Sequence, residues 1–255
     1  MQNWEYFHSG SNFVFLKFQY EKIFVLLLAL VFIKAHSQTV DEIVQKYANA
    51  AGGLDNFKKI KTAKVFRSTA SAQGQEFPLT VQIINGRAMR TDVEVMGQTV
   101  TNAYKDGKAW KINPFAGAPT ATDATPEELN EFKIQGSLIS QLMDYKDHGY
   151  KAELLGQEDV QGAKAYKIKL TTDDNKTTTY FIDANTYFII KSIGMRNLMG
   201  QEMELETYYS EVKDVGNVKL SMMRSVQSGG QTLQEVHFDK VELDVPIDEK
   251  IFDKQ

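Results

Sequence analysis

Phe77, Leu79, Val81 and Ile83 occupy every second position of one short stretch. Gly86 interrupts the alternation, and Met89, Thr91, Val93 and Val95 resume it. Gly97 breaks it again before Val100, Asn102 and Tyr104. A period of two sends successive side chains to opposite faces of a strand. Brief glycine-containing breaks join such strands as antiparallel neighbours. Asp106-Gly107 supplies the next turn, a pair that accepts positive φ. After Tyr150 the pattern returns in AYKIKL, TTTYFID, YFIIKSI, QEMELETYYSEV, VKLSMMRSV and LQEVHFDKVEL, separated by Asp, Asn and Gly. A long antiparallel sheet with one buried face is the consequence.

Two stretches carry a helical period instead. In TVDEIVQKYANAAGG, Val40, Ile43, Val44, Tyr47, Ala48 and Ala51 step by three and four. Thr39 and Glu42 form a capping-box pair, and Gly52-Gly53 ends the helix. LDNFKKI adds a short turn with Leu54, Phe57 and Ile60 on one side. Residues 113–124 read as a small, polar, Pro/Gly-punctuated loop. Thr125, Pro126 and Glu128 then start a helix with a cap, a first-turn proline and a capping box. Its apolar face, Leu129, Phe132, Ile139, Leu142 and Met143, predicts an extension to about Tyr145, although Gly136 weakens the middle by about 1 kcal/mol relative to alanine. The expected fold class is α+β: a strongly curved antiparallel sheet, covered by an N-terminal helix and a mid-chain helical insertion, with a cavity between the layers.

The N-terminus has a different character. Lys22, the unbroken apolar run Ile23–Ile33 and the small-x-small exit Ala35-His36-Ser37 match a secretory signal. The run makes a helix of about 16 Å, half the ~30 Å of a bilayer core. Residues 1–37 are therefore expected to be a signal cleaved near Ser37, with an uncleaved anchor as the alternative, and 38–255 a single domain. The long segment before Lys22 leads us to expect the true start downstream of Met1. The chain has no cysteine, which removes disulfides, thiolate chemistry and a lipid-modified cysteine. A net charge of −4 without a basic block argues against nucleic acid and anionic membrane surfaces.

Little in the sequence points to catalysis. His148 lies in a turn-like DYKDHGY, and His237 in a strand, facing opposite to Val236 and Phe238. Asp173-Asp174 belongs to a hairpin turn. Glu127-Glu128 suits a helix start. Ser140 has no recognisable base partner. No metal-ligand or nucleotide-binding motif is present. We expect neither enzyme activity nor a cofactor or metal. Met195, Met199, Met203, Met222 and Met223 supply adaptable apolar surface, suited either to a core or to a variable apolar ligand.

Asp106-Gly107-Lys108-Ala109-Trp110 followed by Asn113-Pro114-Phe115 resembles a strand–turn–strand corner of the LolA-like periplasmic lipoprotein-sorting carriers. Tyr180–Ser192 and Tyr208–Val226 resemble two later hairpins of that family, in the same order. The resemblance implies a half-open β-barrel with a helical lid that receives acyl chains. It implies a soluble, monomeric periplasmic carrier or binder of lipoproteins or other lipid, served by inner- and outer-membrane transport partners. Candidate cavity residues are Phe77, Leu79, Val81, Ile83 and Met89 on the first strands. Phe132, Ile139, Leu142 and Met143 come from the insertion, and Met203 and Met222 from the later strands. Trp110 is expected between sheet and lid, with direct ligand contact the alternative. The family's basic residue before a proline is replaced here by Ile84-Asn85-Gly86-Arg87, so Arg87 or Arg90 is expected to hold the lid. A non-enzymatic envelope interaction module of the same fold, without lipid, is the competing expectation. A hydrolase with a dispersed polar site is the third.

Overall fold

A computed structural model describes residues 38–254, apart from 73, 199 and 200. The signal expectation for 1–37 and the expectation for Met199 lie outside the described residues. Helix α1, Val40–Ala50, begins where the sequence places it. Thr39 Oγ1 accepts the Glu42 N–H at 3.2 Å, and Glu42 accepts the Thr39 N–H at 3.1 Å. Ile43, Val44, Tyr47 and Ala48 are its buried face. Gly52 and Gly53 stop it with φ of 110° and 94°. The short α2 follows, Leu54–Lys59, burying Phe57.

The strands are β1 Thr62–Ala72, β2 Gln75–Ile84, β3 Ala88–Val95, β4 Gln98–Lys105 and β5 Lys108–Asn113. They continue as β6 Ala118–Asp123, β7 Lys151–Val160, β8 Ala163–Thr171, β9 Thr177–Asp183 and β10 Ile189–Leu198. The last four are β11 Gln201–Val215, β12 Val218–Ser228, β13 Gln231–His237 and β14 Lys240–Leu243. They form one antiparallel sheet in the order β6-β5-β4-β3-β2-β1-β13-β12-β11-β10-β9-β8-β7, with β14 also paired to β1. β6 and β7 end the order, so the sheet stays open.

Two strands correct the sequence reading. Residues 118–123, expected as loop, form edge strand β6 beside β5. The edge tolerates Pro119, which has no N–H to donate. β7 was not foreseen, because its glutamates and lysine hide the alternation of an edge exposed to water.

Helix α3, Pro126–Gln135, has the expected cap. Thr125 Oγ1 accepts the Glu128 N–H at 3.3 Å, and Glu128 accepts the Thr125 N–H at 2.9 Å. It ends at Gly136 instead of running to Tyr145. The Gly136 carbonyl accepts the Gly86 N–H at 2.8 Å, and Asn85 Oδ1 accepts the Leu138 N–H at 2.9 Å. These bonds turn the chain off the helical path, and residues 137–149 follow as a series of turns.

All three helices pack on one face of the sheet, the inner face. Ile83, Met89, Tyr104 and Ala109 are successive register partners across β2 to β5. With Ala63 and Phe132 they form one core under α3. A second core joins α1 and α2 to Leu142, Met143 and Tyr145 of the turn segment. It also takes in Ile168, Leu170, Tyr180, Ile182 and Val218 of the sheet. The sheet is strongly curled: α3 is ion-paired both to Lys111 on β5 and to Arg196 on β10, strands far apart in its order.

Candidate functional site

The inner face has three zones: two packed cores and an open strip. Register places Phe77, Val93 and Val100 on that face in β2, β3 and β4. It places Met203, Leu205, Val226 and Val236 there in β11, β12 and β13. Each is only partly buried. None belongs to either core or packs against one. Apolar side chains thus line a path beyond the cover of the helices.

The candidates from the sequence divide between these zones. Leu79, Ile83, Met89, Phe132, Leu142, Met143 and Met222 are buried, and Met89 and Leu142 are almost wholly so. Val81 and Ile139 lie at the margins of the cores. Phe77 and Met203 lie on the open strip. Among the other methionines, Met195 and Met223 point to the outer face by register, and Met195 is 50% exposed.

Trp110 corrects the expectation. It pairs with Ala103, which pairs with Arg90, and all three face outward, opposite to Ala109 and α3. Its Nε1–H donates to the Phe252 carbonyl at 2.8 Å, and the Arg90 guanidinium lies 5.6 Å from its ring. Trp110 therefore packs beneath the C-terminal 3-10 turn, Glu249–Phe252, and away from the helices.

Arg87 and Arg90 likewise do not hold the helical cover. Arg87 pairs with Asp106 and Glu249. Arg90 pairs with Asp92 at 2.8 Å and donates to the Ile251 carbonyl at 2.8 Å. Both clamp the C-terminal turn on the outer face. Asn85 takes the expected role. Its Nδ2 donates to the Phe57 and Ile60 carbonyls, both at 3.0 Å, while its Oδ1 holds Leu138. One side chain thereby ties α2, the turn segment and the β2–β3 hairpin together.

Polar groups sit between the cores and the strip. Tyr47 OH and Ser140 Oγ share a hydrogen bond at 3.0 Å, and Ser192 Oγ and Tyr209 OH share one at 3.1 Å. Burial pushes the Tyr47 hydroxyl up to about 12, although the Ser140 bond eases it. Burial also raises Tyr180. Both tyrosines stay neutral and act as hydrogen-bonding groups. Arg224 and Tyr209 lie close enough to act on Tyr47 electrostatically.

His148 bonds Asp144 at 3.2 Å, and burial raises the Asp144 carboxyl, with His148 opposing. His237 pairs with Glu211 and Asp239 near the outer surface. Among the described residues no three His, Asp or Glu converge as metal ligands, and no helix is long and apolar enough to cross a membrane. The outer face carries a hollow of about 410 Å³ beside Val160, Ile190 and Tyr208.

Sequence reasoning missed Asn85, Arg196 and Arg224. Arg224 left a signal: in Val218, Leu220, Met222, Arg224, Val226 it stands in phase with the apolar residues of its strand. Asn85 left only an Asn-Gly turn, and Arg196 left none.

An open, strongly curled antiparallel sheet with helices over its inner face is a LolA-like fold. The LolA superfamily protein NE2245 from Nitrosomonas europaea aligns over 86% of this chain and 99% of its own, at 11% identity and a TM-score of 0.58. A DUF1329 family protein from Desulfovibrio piger covers 85% of this chain and 98% of its own, at 12% identity and a TM-score of 0.55. A domain from Vibrio parahaemolyticus named for outer membrane lipoprotein sorting covers 85% and 96%, at 11% identity and a TM-score of 0.55. At such identities the likeness is one of fold. A family model described as "Uncharacterized protein" matches residues 133–255. No curated protein matches the sequence.

Proposed function

We propose that this protein is a periplasmic binder or carrier of lipid or of lipoprotein acyl chains. The observation that carries the reading is the partly exposed apolar strip of Phe77, Val93, Val100, Leu205, Val226 and Val236, on the helix-bearing face but outside both cores. Each methylene fully buried on such a surface contributes up to about 0.8 kcal/mol. A chain of a dozen carbons then supplies enough to hold a lipid without a cofactor. Met203, unbranched and polarizable, adapts to ligands of different shape. Ile139 and Val81 lie at the margins of the cores. The fold shared with a domain named for lipoprotein sorting supports the same reading. The N-terminal basic flank and apolar run support export.

The test is expression of the full sequence, recovery from the periplasmic fraction, native mass spectrometry and organic extraction. A bound lipid or acylated peptide of defined mass, on a chain beginning near Gln38, supports binding and export together. A clean apo mass with no uptake of a fluorescent fatty acid overturns the lipid reading. It moves the protein to a cargo-free interaction module of the same fold.

A further inference from the structure

Two inner-face cations elsewhere in the sheet are neutralised. Lys111 is held by Glu128, and Arg196 by Glu131 at 3.1 Å, both carboxylates coming from α3. Arg224 is treated differently. Its register partners are Tyr209 and Val236, and its inward neighbours along β12 are Met222 and Val226, all uncharged. Its guanidinium lies 5.3 Å from the Phe238 ring and 6.0 Å from the Tyr209 ring. The residue is exposed and forms no ion pair with any described carboxylate.

The geometry points to Arg224 as the receptor for an anionic head group, a carboxylate or phosphate, on an acyl lipid whose chain lies along the open strip. This rests on the lipid-binding reading and narrows it to acidic lipids. Hydrocarbon on Val226 and Val236 strips water from the adjacent guanidinium, and an unpaired charge there is costly. An anion carried by the ligand removes that cost. The planar guanidinium offers a paired fork to the two oxygens of a carboxylate or phosphate. The two rings restrict its orientation before the ligand arrives. The Tyr209 hydroxyl is anchored by Ser192 at 3.1 Å, which holds the ring beside the guanidinium in place. A lipid with a neutral head group leaves Arg224 without a counter-ion.

The test uses two fluorescent probes with the same acyl chain, one ending in a carboxylate and the other in a hydroxyl, and inorganic phosphate as a third ligand. The protein should bind the acid about tenfold tighter than the alcohol, a difference within reach of one charge-assisted pair. Arg224→Gln should abolish that preference by weakening the acid alone, at an unchanged melting temperature. Arg224→Lys, which keeps charge but loses the fork, should retain part of it. Equal affinities in the wild type, or a preference that survives Arg224→Gln, overturn the inference and leave the lipid reading intact. If neither probe binds but phosphate binds and is lost in Arg224→Gln, the anion site stands, its ligand is a free anion, and the lipid reading falls. If nothing binds, both fall.

Discussion

Arg196 on β10 and Glu131 on α3 form an ion pair at 3.1 Å, although α3 packs on β3 to β5. β10 and β5 are eight steps apart in the strand order. At about 4.8 Å per step, a flat sheet would separate them by about 38 Å. Glu128, one turn before Glu131, reaches Lys111 on β5. A single helical turn therefore touches both strands, and only a sheet folded back on itself permits that. The curl that makes an inner face is thus spanned by two carboxylates of one short helix.

The Arg196–Glu131 pair should join the two sides measurably but weakly. Both side chains are about one third exposed, 30% and 35%, so solvent screening limits the pair to about 0.5 kcal/mol. Arg196→Ala, Glu131→Ala and the double variant, compared by urea unfolding, should give a coupling of that size that shrinks at high salt. A coupling of zero at low salt would separate the ion pair from the maintenance of the curl.

Asn85 should matter more than either charge. Its amide makes three bonds to main-chain groups of Phe57, Ile60 and Leu138. Asn85→Ala should cost about 2–3 kcal/mol, since partly buried partners are left unpaired. Asn85→Asp is the sharper variant. It keeps an acceptor for Leu138 but turns a carboxylate oxygen toward two carbonyls, so it should be at least as destabilising near neutral pH. An Asp variant as stable as wild type would remove Asn85 from this role.

Much of this architecture was legible where the cause is local. The Thr39–Glu42 and Thr125–Glu128 capping boxes fixed both helix starts, and the alternation from Phe77 to Tyr104 fixed three strands and their common face. What was illegible depends on partners far along the chain. Arg87 and Arg90 looked ready to hold a lid, but their partners Glu249 and Ile251 lie at the C-terminus. Trp110 differs from Ala109 by one position, and that single step decides which face it occupies. The end of α3 at Gly136 follows from hydrogen bonds to Gly86 and Asn85, which helical periodicity does not register. Of the candidate cavity residues, the pattern found the inner face but not which part of it the helices leave uncovered.

Trp110 should behave as a clasp on the C-terminal turn. Trp110→Phe removes the bond to the buried Phe252 carbonyl and should cost about 1–2 kcal/mol. Trypsin should then cleave after Lys250 before the sheet unfolds, whereas the wild type resists. Binding of an acyl probe should be unchanged, because Trp110 faces away from the strip. A large loss of probe affinity in this variant would restore Trp110 to the cavity.

Gly52 sits where only glycine fits. With φ of 110°, a Cβ there would meet the Asn217 carbonyl oxygen at 2.5 Å and Val218 Cα at 2.8 Å. Both are backbone atoms that cannot rotate aside, and Lys219 N–H donates to Ala51 O at 2.8 Å next door. Gly52→Ala should destabilise by about 3 kcal/mol or more through strain and displacement of α1 from β12. Gly53→Ala, which meets nothing within 4 Å but still carries a φ of 94°, should cost less. Thermal unfolding of the two variants tests the order.

Asp183 gives the fold a dependence on acid. Burial favours its neutral form, but the Thr186 N–H at 2.6 Å, the Thr186 hydroxyl at 2.8 Å and the Asn185 N–H at 3.0 Å all donate to Oδ1. The donors win, and the carboxyl lies below its usual 3.8 in the folded protein. Because the folded value is depressed, the stabilisation is fully present above 3.8 and is lost as the pH falls from there through the lower folded value. Asp183→Asn keeps the shape and one acceptor oxygen but loses the charge. It should lower stability at pH 7 and flatten the dependence of unfolding free energy on pH below 4, relative to wild type. Urea midpoints across that range provide the comparison. An unaltered slope in the variant would mean that other carboxylates, such as Asp41 beside Lys146 and Tyr145, carry the acid sensitivity.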